Sequence, residues 1–147
     1  MVALLQRVKS SWVTIDGQEV AKIGRGYTIL LGVIEGDAKE DITKLVKKIL
    51  NLRLFPNEKG KMDKNILQIG GQILVVSQFT LAANCKRGNR PDFSLAMPPL
   101  LAKELYEDFV AKLKEHIDVQ TGVFGAMMEV GILNDGPVTI ILDSRQL

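Results

Sequence analysis

Residues Tyr27 to Ile34 (YTILLGVI) form a nearly continuous apolar run, and the period of the chain changes immediately after it. The run is too short for a membrane span and reads as a central strand. From Asp37 to Leu54 the apolar residues Ile42, Leu45, Val46, Ile49 and Leu50 recur at helical spacing, with Lys44, Lys47 and Lys48 on other faces. That is an amphipathic helix. A buried strand followed at once by such a helix needs a sheet on which the helix can lie. The chain is therefore expected to be a mixed α and β domain.

Further strands are expected at Val2–Val8, at Ser11–Ile15 and at Glu19–Ile23, the last two joined by the hairpin signal Asp16-Gly17. Gln72–Val76 is a buried strand that runs straight into Ser77-Gln78-Phe79-Thr80. Asn57–Asn65 and Asn84–Asp92 are polar loops, the second of them basic. Beyond Pro98-Pro99, Leu101, Leu105, Phe109 and Leu113 form a second helical stripe. Short strands follow at Val119–Thr121, Met127–Leu133 and Val138–Leu142. Strands interleaved with two long helices place the helices on one side of the sheets. With 147 residues and neither repeat nor linker, one domain over residues 1–147 is expected.

Composition removes several chemistries. A formal charge of +2 does not mark a nucleic-acid binder, although a local basic patch can still exist. One cysteine, Cys85, forbids an intrachain disulfide and fits a reducing compartment. The N-terminal segment has no signal-peptide pattern, so the cytoplasm is the expected location. A single histidine, His116, near the end of the second helix, reads as a surface or capping residue. One His and one Cys are too few for a structural zinc site. Gly24-Arg25-Gly26 lacks the third glycine of a dinucleotide fingerprint, and there is no phosphate-binding Walker loop. Cys85 has no evident base beside it.

An enzyme with this sequence must rely on hydroxyls, main-chain amides or its own substrate. Two stretches can supply them. Ser77-Gln78-Phe79-Thr80 places polar groups at the end of a buried strand, a common position for a site. Gly136-Pro137 sits at the entrance of the last strand, where it reads either as a strand-initiating turn or as a presented site.

Taken together, these stretches resemble the D-aminoacyl-tRNA deacylase family. The resemblance covers essentially the whole chain: Leu5-Gln6-Arg7-Val8, the Val13–Gly17 hairpin, Lys48–Phe55 (KILNLRLF), Gly60-Lys61-Met62, Val75–Leu81 (VVSQFTL) and Asn134–Thr139 (NDGPVT). Trp12, Leu81–Cys85 and Gly131 depart from the family pattern. With the order of elements, the resemblance implies a three-layer β/β/α domain with two packed sheets and two main helices on one side, forming a homodimer. It implies an ester hydrolase that releases D-amino acid from tRNA, without metal, cofactor or membrane.

In the family, Ser77, Gln78, Phe79 and Thr80 would form the catalytic pocket. Gly136-Pro137, in the cis form, would enter from the other subunit, supported by Arg7, Val138 and Thr139. The implied chemistry is oxyanion stabilisation by N–H groups around Phe79 and Thr80, helped by the neighbouring ribose 2′-hydroxyl. Thr80 as nucleophile is the competing reading. An L-residue would drive its Cβ into the Gly136-Pro137 carbonyls, whereas glycine, lacking a Cβ, would be cleaved. Lys86, Arg87 and Arg90 are the candidate contacts to tRNA phosphates. The alternatives are a Thr80-dependent small-ester hydrolase and a non-catalytic tRNA-binding module.

Overall fold

The computed structural model describes residues Met1–Leu147. Strands β1 (Val2–Ile15), β2 (Gln18–Ile23) and β3 (Gly26–Gly32) come first, followed by helix α1 (Lys39–Asn51). A small ribbon of β4 (Phe55–Pro56) and β5 (Met62–Lys64) precedes β6 (Gln72–Ser77). A 3-10 turn over Phe79–Ala82 leads on to α2 (Pro99–Lys114), β7 (Asp118–Thr121) and β8 (Glu129–Asp143).

β1 organises the molecule. Its first half pairs with β3 and its second half with β2, while β8 runs antiparallel along its other edge for almost the full length. β3, β6 and β7 continue the sheet in parallel, giving the order β2-β1-β3-β6-β7 with β8 on β1. Two expectations are corrected here. Val2–Val8 and Ser11–Ile15 are one strand, because the ladder continues through register shifts between Gln6 and Ser10. The strands expected at 127–133 and 138–142 likewise merge into one, which begins only at Glu129, so Gly136-Pro137 lies inside β8 and starts nothing.

The expected pair of packed sheets is also corrected. One six-stranded sheet coils into a nearly closed barrel and supplies both β layers. Val8, Val13, Ala21, Ile23, Leu74 and Val76 pack inside the coil, where the β1–β2 hairpin folds over β6. The larger core lies between the sheet and the helices, built from Leu5, Ile29, Leu31 and Val75 against Leu45, Ile49, Phe109 and Leu113. α1 buries the five residues of its apolar stripe. It is shorter than expected at both ends. Asp37 is held before it, accepting the Ile34 N–H at 2.6 Å, and Leu52 turns to an extended backbone after it. α2 starts with Pro99, whose missing N–H costs nothing in the first turn. No helix is long and apolar enough to cross a membrane.

Trp12 and Gly131, two of the departures from the family pattern, are cross-strand partners. A Cβ at Gly131 would fall 1.9 Å from the Trp12 ring, so the large residue occupies the space the small one leaves. The two departures compensate each other.

Candidate active site

The Ser77–Thr80 segment is made where β6 runs out of partner. Ser77 pairs with Leu31, and the Gln78 N–H still reaches the Leu31 carbonyl at 2.8 Å. The chain then tightens into the 3-10 turn, whose first bond is Leu81 N–H to the Gln78 carbonyl at 3.3 Å. Phe79 and Thr80 lie ahead of that bond, so the turn gives their N–H groups no acceptor. Both residues are exposed. The Gln78 side-chain amide donates to Thr80 Oγ1, which occupies the hydroxyl as an acceptor. No histidine, carboxylate or lysine is hydrogen-bonded to Thr80.

Two residues that the sequence did not single out hold this turn. A Cβ at Gly32 would lie 2.9 Å from Leu81 Cβ and 3.1 Å from the Gln78 carbonyl, so the turn rests on bare backbone. Phe93 stacks edge-on against Phe79 with ring centroids 5.1 Å apart. Just before Phe93, Asn84 and Asp92 close the basic loop with reciprocal backbone bonds of 2.8 and 2.9 Å. Lys86, Arg87 and Arg90 are exposed on that loop, which is thereby anchored beside the Ser77–Thr80 turn.

The second motif is a bulge. Asn134 pairs with Val8 and Thr139 with Gln6, so four residues, Asp135 to Val138, stand opposite the single residue Arg7. Gly136 and Pro137 are exposed at its crest, and the peptide between them is cis. Gly136 has φ +131°, a conformation that suits glycine, and a Cβ there would meet Val138 Cγ2 at 2.9 Å and Arg7 Nη2 at 3.1 Å.

Arg7 is buried and clamps the base of the bulge. Its Nε donates to the Asp135 carbonyl at 3.1 Å and lies 3.5 Å from the Asp135 carboxylate, while Nη1 donates to the Leu54 carbonyl at 2.6 Å. The KILNLRLF segment thus serves the bulge through one main-chain oxygen. Tyr27 lies within the field of this guanidinium. Burial nonetheless pushes its phenol well above the ordinary value, with the Arg7 charge offsetting only part of the rise.

Within one chain no hydrogen bond or strand pairing joins the two motifs. Ser77 is level with Leu31 and Ala3, whereas the bulge is level with Arg7, four residues along β1 and three strands across. At ~3.3 Å per residue and ~4.8 Å per strand, the path along the sheet between them is roughly 20 Å. A groove of about 410 Å³ between α2 and the Thr121–Phe124 segment lies on the helical side and includes neither motif.

Comparison with known proteins decides the family. The model of the D-Tyr-tRNA(Tyr) deacylase family matches residues 4–143. The chain belongs to that family. It is 71% identical over 147 residues to a protein of a Nitratiruptor species and 59% identical over 148 residues to one of Aquifex aeolicus, in each case over the full length of both chains. Both relatives are named D-aminoacyl-tRNA deacylase. Among solved structures, one titled c-Myc DNA Unwinding Element Binding Protein is 44% identical with a TM-score of 0.93, covering 97% of this chain and 98% of its own. A probable eukaryotic D-amino acid tRNA deacylase, at 16% identity and a TM-score of 0.77, covers 96% of this chain and 97% of its own, and shares the fold.

Proposed function

We propose that this protein hydrolyses the ester of D-aminoacyl-tRNA, releasing free D-amino acid and tRNA, and that it also accepts glycyl-tRNA. The observation that carries this reading is the pair of N–H groups at Phe79 and Thr80, which have no acceptor within their turn and sit at an exposed strand end. An ester needs chiefly a stabilised oxyanion, and fixed main-chain donors supply that without reorganising. Water attack is assisted by the substrate's ribose 2′-hydroxyl, because Thr80 is already an acceptor for Gln78 and no base is bonded to it.

The working unit is a homodimer. The bulge lies roughly 20 Å along the sheet from the turn in its own chain and no hydrogen bond joins them, and a second copy brings Gly136-Pro137 over the Ser77–Thr80 turn. β8 supports this arrangement: it pairs only with β1 and leaves its other edge unpaired, with Leu133 51% and Ile141 68% exposed. An uncovered edge of that length invites pairing with another chain. The Gly136-Pro137 carbonyls then exclude an L side chain and tolerate a D side chain or none. Lys86, Arg87 and Arg90 lie beside the turn and hold tRNA phosphates, without reading sequence. We assign the enzyme to the cytoplasm, where its substrate is made.

One assay tests the whole reading. D-alanyl-tRNA, glycyl-tRNA, L-alanyl-tRNA and a D-alanine methyl ester are each incubated with the protein. Cleavage of the first two, with a KM that rises with salt, is expected. Hydrolysis of the methyl ester with intact tRNA esters would favour a small-ester hydrolase using Thr80. Salt-sensitive binding without cleavage would leave a tRNA-binding module.

A further inference from the structure

A four-on-one bulge has a weak point at its neck. Between Asn134 and Thr139 the ladder to β1 is interrupted, so the main chain alone does not fix how far the intervening residues stand out. Arg7 pins one side of the crest through the Asp135 carbonyl. The other side is pinned by Asn134. Its Oδ1 accepts the Val138 N–H at 2.9 Å, across the crest. Its Nδ2 donates to Thr139 Oγ1 at 3.3 Å, and the same hydroxyl receives Gln6 Nε2 at 3.5 Å. Asp135 and Val138, the two residues flanking Gly136-Pro137, are each held by one side chain.

We infer that Asn134 is a specificity-determining positioning residue: by closing the neck of the bulge it fixes the projection of Gly136-Pro137, and so sets the discrimination between D- and L-substrates. The inference rests on the proposed function, which makes that dipeptide the excluding wall. The division of labour with Arg7 follows from burial. Arg7 is buried, and so is its bond to the Leu54 carbonyl, so its loss leaves that carbonyl without a donor. Asn134 is only partly buried, and water can replace it at the Val138 N–H. Its loss therefore loosens the crest more than it unfolds the chain. An excluding wall is sensitive to such loosening, because rejection of an L side chain depends on contact distance, whereas cleavage of a D-substrate does not.

Three variants separate the bonds. Asn134→Ala removes both. Asn134→Asp keeps the acceptor for Val138 and loses the donor to Thr139, and Thr139→Val keeps the Val138 bond but loses both bonds to the hydroxyl, from Asn134 and from Gln6. Rates with D-alanyl-tRNA and L-alanyl-tRNA are measured under single turnover with excess enzyme, beside the thermal midpoint of each variant. The D/L rate ratio is expected to fall about tenfold in Asn134→Ala, the worth of one to two hydrogen bonds, and to stay within about threefold of wild type in Asn134→Asp. A wild-type ratio in Asn134→Ala would overturn the inference alone, as would equal losses of both rates that track the thermal midpoint. A wild-type enzyme that leaves D-alanyl-tRNA intact would overturn the proposed function, and this inference with it.

Discussion

The Ser77–Thr80 turn and the Asn134–Thr139 bulge are both interruptions of a strand, but they are held by opposite means. The turn is local: β6 ends, the chain tightens within four residues, and the support is mostly absence, the missing side chain of Gly32. The bulge is non-local: it interrupts a strand whose ladder to β1 resumes in a shifted register, and buried Arg7 ties it to Leu54, just after α1. The first arrangement leaves donors free to act on a substrate. The second leaves almost nothing free and fixes a shape. Those are the two properties that the proposed cleaving site and the proposed excluding wall require.

The comparison breaks first at Arg7. If the bulge is a clamped shape, Arg7→Ala should lower stability by about 3 kcal/mol, since it removes a buried charge-assisted donor from two carbonyls. The D/L ratio should fall with it. Arg7→Lys should recover little of either, because a single ammonium cannot serve both carbonyls in the planar geometry of the fork. Urea titration together with the two-substrate assay checks this. Full stability in Arg7→Ala would mean that the bulge holds itself.

Gly32 probes the other region. Gly32→Ala puts a methyl 2.9 Å from Leu81 Cβ and displaces the 3-10 turn. A misplaced oxyanion donor costs on the order of a hundredfold in rate. The D-substrate rate should fall by that order while the residual activity keeps its preference for D, the reverse of the pattern expected at Asn134. Loss of discrimination in Gly32→Ala would show that the two regions are not separable.

These expectations mark where the sequence stops being informative. The α1 stripe, the Asp16-Gly17 hairpin and the QILVV strand are legible because each is a local pattern: five buried residues at helical spacing, two residues with φ +49° and +79°, and an unbroken apolar run. The continuity of β8 is not legible, because Gly-Pro is a local stop signal that the ladder to β1 overrides. The single coiled sheet is hidden for a related reason. Strands on both sides of Val8–Ser10 look like separate pieces until β8 is seen to pair with both. Gly32 and Phe93 act through partners that only the fold brings near, whereas Asn134 bonds residues four and five places on, across a crest whose shape no local pattern announces. Trp12 and Gly131, odd when taken singly, make sense only as a cross-strand pair.

The smallest expected effect is at Thr80. Its hydroxyl accepts from Gln78, so Thr80→Ala should cost about threefold in rate, the loss of one polar contact. Replacing the terminal ribose of the substrate by its 2′-deoxy form should cost more than that. Normal cleavage of the deoxy substrate, with a dead Thr80→Ala variant or a trapped acyl-Thr80, would establish the nucleophilic route instead.

The central claim is that the turn of one copy works with the bulge of another, and mixing two variants tests it most directly. Gly32→Ala carries a damaged turn and an intact bulge. Gly136→Ala carries an intact turn and a bulge crowded against Val138 and Arg7, and by itself should cleave L-alanyl-tRNA. Refolding Gly136→Ala with an excess of Gly32→Ala places nearly every intact turn opposite an intact bulge from the other chain. The account predicts that L-alanyl-tRNA cleavage then falls to the wild-type level while D-alanyl-tRNA cleavage persists. If L-cleavage per Gly136→Ala chain stays unchanged in the mixture, the turn is paired with the bulge of its own chain, and the shared site is wrong.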